Sequence, residues 1–152
     1  EAINCYQKAL KINPQNEQVY TNLGNIFNEK GNYEEAINCF QKANKIKPNY
    51  LTSHWLSLNT FPIIYVNAKE IKIYRNRFLQ NINKINQLLD KKTSYTKDEI
   101  INALQSSTNF YLHYQGKDDL DLQTQYAQLI ERLTKKIYPQ FFKKRNKNTS
   151  RQ

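Results

Sequence analysis

A 34-residue period governs the first third of this 152-residue chain. Shifted by 34, residues 1–16 align with residues 35–50, and 11 of the 16 pairs are identical, from Glu1/Glu35, Ala2/Ala36 and Ile3/Ile37 to Pro14/Pro48. A unit of that length is one supersecondary element that cannot bury its own apolar face and stacks on its neighbours to do so. The residue types inside the period say which element. Gly24 and Ala36 are small, so two antiparallel helices can approach closely there. Tyr20, Phe27 and Phe40 fill the space around them. Gly31-Asn32 predicts the end of one helix and Pro48 the end of the next, since proline cannot continue the hydrogen-bond ladder.

Tyr20, Leu23, Gly24, Phe27, Ala36, Phe40 and Pro48 stand at the spacing of the tetratricopeptide repeat (TPR), which Glu17 to Tyr50 resembles over its whole length. The resemblance implies an all-α fold, a TPR α-α superhelix, with residues 1–50 holding one partial and one complete repeat. Residues 1–13 and 33–46 are expected to be second helices and 17–30 a first helix. The chain opens without Met and inside a repeat, so further repeats are expected upstream.

On the first helix Gln18, Asn22, Asn25 and Glu29 recur at i, i+4, i+7 and i+11, opposite the apolar side. First helices line the concave face of a TPR stack. The stripe is therefore the candidate protein-binding surface, with an extended peptide as the expected ligand; a solvated outer face is the competing reading.

The repeat decays from Leu51. The segment Leu51–Leu58 reads as another first helix, but Leu58 stands where glycine belongs and Pro62 breaks the chain. A covering role follows, with Trp55, Leu56 and Phe61 closing the apolar end of the last repeat. Asn67 to Glu70 has the pattern of a capping box and opens a helix to about Asp90, with Ile71, Tyr74, Phe78, Ile82, Ile85 and Leu89 on one face. Thr96 to Glu99 repeats the pattern before a short helix. Asp118 is expected to cap a helix over Leu120, Leu122, Tyr126, Leu129, Ile130, Leu133 and Ile137, stopped by Pro139. Residues 51–137 thus form a helical spacer and residues 138–152 a basic linker.

The net charge of +10 is unevenly spread: +1 over residues 1–50, +5 over 51–92, −1 over 93–137 and +5 over 138–152. The repeats are nearly neutral. A basic chain with 11 tyrosines raises nucleic acid as a partner, since bases stack on exposed aromatics. The tyrosines fall mostly at helical core spacing, however, and the charge is divided between one helix and the tail, so nucleic acid is disfavoured. No apolar run approaches the roughly 18 residues of a membrane span, and a cytoplasmic setting is expected from the repeats and the two lone cysteines, Cys5 and Cys39.

The chain carries no Gly-rich phosphate loop, HExxH, GxSxG or CxxC. His54 and His113 are far apart and lack clustered acids; packing or positioning is the reading for both. Asp118, Asp119 and Asp121 complement a helix dipole. No catalytic residue, metal ligand or cofactor is assigned.

The segment Phe110-Tyr111-Leu112-x-Tyr114-Gln115-Gly116, followed by Asp119 and by Leu122-Gln123-x-x-Tyr126-Ala127, is similar to one in bacterial TPR-containing glycosyltransferases, relatives of O-linked N-acetylglucosamine transferase and SPINDLY. The resemblance covers residues 1–142. It implies repeats leading through a helical spacer into a two-lobed catalytic region, whose residues have nothing to map onto before Gln152. It also implies a role for Asn22, which stands just before Leu23-Gly24, where the eukaryotic relatives carry a ladder of asparagines that holds the substrate backbone. Two functions follow: the protein-binding and spacer portion of a protein O-glycosyltransferase, or a stand-alone TPR scaffold with no enzymatic connection.

Overall fold

The computed structural model describes residues 1–91 and 94–142. Among them all regular structure is helical: α1 (Ala2–Ile12), α2 (Glu17–Glu29), α3 (Tyr33–Ile46), α4 (Leu51–Leu58), α5 (Ala68–Asp90), α6 (Lys97–Ser106) and α7 (Leu120–Ile137), with 3-10 helices at Phe110–Gln115 and Pro139–Phe142. The basic residues of the expected linker, from Lys143 onward, lie outside the described residues. No described helix is long and apolar enough to cross a membrane.

The repeat folds as its residues dictate. Asn16 caps α2, its side chain accepting from Val19 N at 3.0 Å. At the other end Gly31 adopts φ +78°, Gly31 N donates to Asn28 O and Asn32 N donates to Phe27 O. This paired arrangement satisfies two otherwise orphaned carbonyls and requires a left-handed residue, which glycine supplies without cost to a side chain. The turn folds α3 back on α2. Gly24 then meets Phe40 so closely that a Cβ on it would lie within 2.8 Å of three ring atoms. Phe40, Ala36 and Leu56 form a small buried cluster with Phe27 at its edge.

The short helix α4 is the junction of the molecule. Leu51, Ser53, His54, Trp55, Leu56, Ser57 and Leu58 are all buried, and α4 packs on α3, α5 and α6. Leu56 belongs to the small cluster of the repeat, while Leu51, Trp55, Leu58 and Phe61 belong to the main core with residues of α5, α6 and α7. Trp55 reaches furthest: its indole N–H donates to Ser107 O at 3.0 Å and its ring stacks on Tyr126 at 5.4 Å between centroids. The expected covering role of Trp55, Leu56 and Phe61 is thus one side of a larger arrangement, because the same helix also nucleates the core beyond it.

α4 with α5, and α6 with α7, make two further helix pairs, laid on one another through α4–α6 and α5–α7 packing. Alternation of this kind is the layout of the repeat continued without its consensus residues. The capping patterns act much as their residues predict. Thr96 and Glu99 form a full capping box. Asn67 accepts from Lys69 N and Glu70 N, but Glu70 reaches one residue further back than a capping box requires, to Val66 N at 2.7 Å. The N-cap of α7 is Asp119 rather than the expected Asp118: Asp118, one residue earlier, accepts from Leu120 N at 3.0 Å, while Asp119 turns inward to Arg75 and makes no cap hydrogen bond of its own. Leu120, placed on the apolar row of α7 by spacing, is 72% exposed.

Candidate functional site

The four stripe residues follow from the register of α2. Thr21, Leu23 and Gly24 are buried, and a helix that buries these must turn Gln18, Asn22, Asn25 and Glu29 elsewhere. Gln18 and Glu29 are exposed and Asn22 and Asn25 half-buried. Their neighbours are occupied: Thr21 Oγ1 donates to Glu17 O at 2.8 Å, and Glu17 lies 3.6 Å from Lys47 Nζ. Among the described residues none of the four stripe side chains takes part in a hydrogen bond or ion pair. Their amides and carboxylate are free to bond a ligand.

The stripe does not stop at the end of α2. Glu29, with Asn28 and Tyr33, lines a pocket of about 330 Å³ whose other wall is Asn59, Phe61, Ile63, Ser107, Thr108 and Tyr111. The repeat and the segment after α6 therefore share one recess, held together by Trp55 and by Tyr33, whose hydroxyl accepts from Ile63 N at 3.4 Å. Nothing in the spacing of the residues brings Glu29 to Tyr111; the packing of α4 does.

The aromatic segment divides by function. Leu112 and Gln115 are buried, whereas Phe110, Tyr111 and Tyr114 are exposed and packed on one another at 5.5–5.8 Å, Phe110 edge to face with both tyrosines and the two tyrosines tilted. Gln115 Nε2 donates to Tyr65 OH at 2.6 Å and its Oε1 accepts from Arg75 Nη1 at 3.1 Å. Arg75 also pairs with Asp119, and His113 Nδ1 sits 3.5 Å from the other Asp119 oxygen. Gly116 closes the 3-10 helix at φ +60°. Buried polar groups of this kind need partners, so Gln115, Arg75 and Asp119 fix the segment while its three aromatic rings face solvent. His113 is exposed and braces Asp119, a positioning role. The network was missed from sequence because Arg75 lies off the apolar face of α5 and its partners are 40 or more residues away.

His54 is 6% exposed and donates from Nε2 to Pro48 O at 2.8 Å. Burial lowers its pKa below the ordinary 6.5, with Lys84 adding to the effect, so the ring is neutral and packed. Cys39 is buried as well, which raises its thiol pKa and leaves it unreactive.

Residues 17–50 match the tetratricopeptide repeat family and residues 1–27 match a TPR repeat family. The first third of the chain is built of tetratricopeptide repeats. Such repeats generally bind proteins or peptides. No curated protein matches the chain.

Proposed function

We propose that this chain is the peptide-presenting and spacer portion of a protein O-glycosyltransferase, itself without catalytic groups. An extended peptide lies along Gln18, Asn22, Asn25 and Glu29 and passes into the recess beside Tyr111. The observation that carries the reading is that recess. It joins the stripe of the repeat to the segment Phe110–Gly116, whose pattern resembles the spacer of TPR-containing glycosyltransferases. Asparagine suits the task, because each side chain offers a donor and an acceptor and brackets a peptide bond without reading side chains. One such contact nets about 0.5–1.5 kcal/mol, so binding to two asparagines is weak and gains from every further repeat.

Titration with a fluorescent extended peptide tests the groove. Binding is expected to weaken about tenfold in Asn22→Ala/Asn25→Ala, to weaken in Tyr111→Ala, and to change little with salt because the repeats are nearly neutral. Full binding by the double alanine variant, with all binding lost when Lys143, Lys144, Arg145 and Lys147 are replaced, overturns it in favour of a polyanion on the tail. The purified chain is expected to transfer no sugar from a radiolabelled nucleotide sugar, and turnover would overturn the non-catalytic reading. The enzymatic connection is tested separately by the coding sequence downstream of Gln152: a nucleotide-sugar-binding domain is expected, and a stop codon there would leave a TPR scaffold.

A further inference from the structure

A second recess, of about 350 Å³, opens between α3, α4 and α5. Its charge is one-sided. Lys45 of α3 and Arg77 and Lys84 of α5 line it, and no Asp or Glu among the described residues does. The described ion pairs of the chain involve other cations, so all three charges lack a carboxylate partner. Arg77 forms the floor. It donates from Nη1 to Ser57 O at 2.7 Å and from Nη2 to Thr60 O, which holds the guanidinium at the carbonyl end of α4, and its buried Nε–H has no acceptor. Desolvation pulls the Arg77 pKa down to about 10, so it remains charged at neutral pH. The wall adds neutral amides: Gln80 and Asn81 of α5 and Asn44 of α3, whose Oδ1 is buried without a partner.

Three cations without a carboxylate partner, with neutral amides beside them, raise the local potential around one cavity and favour a multiply charged anion. We propose that this recess binds a small phosphoryl-bearing anion, with Lys45 and Lys84 as the two jaws and Arg77 as the fixed floor. The rings near Arg77 do not offer a base a stacking platform, because the guanidinium already covers Tyr74, at 4.8 Å from its centroid, and Phe61, at 6.0 Å. The chemistry recognised is the phosphoryl group itself.

Pyrophosphate is the probe, titrated into the full chain by calorimetry and by NMR of the two histidine rings. Lys45→Gln/Lys84→Gln is expected to weaken binding about tenfold or more, since it removes two of three charges. Replacing Lys143, Lys144, Arg145 and Lys147 by Gln is expected to change the affinity little. Both jaw lysines are exposed, so the double variant keeps the fold, and circular dichroism checks this. In the unaltered chain the His54 ring, which lines the recess, shifts on binding while His113 does not. An unmoved His54 signal, affinity that follows the tail variant, or full affinity in the jaw variant overturns the proposal.

Discussion

At Gly24 a single missing methyl group sets the distance between two helices. A Cβ there would overlap the Phe40 ring, and Phe40 is wholly buried, so the ring has nowhere to go. Gly24→Ala gains about 1 kcal/mol of helix propensity yet loses about 1–3 kcal/mol to overpacking. Net destabilisation is expected, and a melting temperature equal to or above the parent's would refute the close approach. His54 gives a pH signature. Its folded pKa lies below the unfolded 6.5, so the unfolded chain binds the extra proton. The stability held by the neutral ring is complete above pH 6.5 and is lost as pH falls from there toward the folded pKa. Melting temperature should therefore decline between pH 7.5 and 5.5, and His54→Gln, which keeps an N–H for Pro48 O, should flatten the decline. Equal slopes in the two proteins would assign the effect to other groups.

Among the elements, α4 shows how a repeat position changes its job. In the period it is a first helix, and the place held by glycine in α2 is Leu58, which is fully buried in the main core. Gly24 lies against the Phe40 ring of the next helix, whereas Leu58 is itself a fully buried member of the main core. Restoring the repeat's small residue is thus expected to harm: Leu58→Ala should cost about 2–5 kcal/mol by leaving a cavity. Chemical denaturation measures it, and a loss under about 1 kcal/mol would show that the surrounding core collapses into the space. α5 carries a related lesson. Arg77, a charged residue beside the apolar row of α5, is drawn inward to cap the carbonyls at the end of α4.

Taken whole, the described residues form two apolar clusters, and α4 supplies buried residues to both. The repeat hairpin buries Ala36, Phe40 and Leu56, the remainder buries a larger core, and Tyr33 and Ile37 of α3 pack against that larger core too. With α4 shared, neither cluster can open without exposing part of the other. A single cooperative transition follows. Trp55, the chain's one tryptophan, stands at the junction and reports on it by fluorescence. Its unfolding curve is expected to coincide with helix loss followed at 222 nm; a fluorescence midpoint displaced from the helix midpoint would mean that repeat and spacer unfold separately.

Residue order alone determined the helices and the repeat, because caps, glycine turns and helical spacing are local: Asn16, Gly31, Thr96 and Pro139 act within a few residues of themselves. It also determined the face of α2 that holds Gln18, Asn22, Asn25 and Glu29, since burying Leu23 and Gly24 leaves those four no choice. The tertiary structure alone decided what the faces meet. The recess shared by Glu29 and Tyr111, the bracing of Gln115 by Tyr65 and Arg75, and the gathering of Lys45, Arg77 and Lys84 around one cavity all join residues from different helices. Such meetings depend on how short α4 seats itself between its neighbours, which is a matter of shape and volume that no periodicity records.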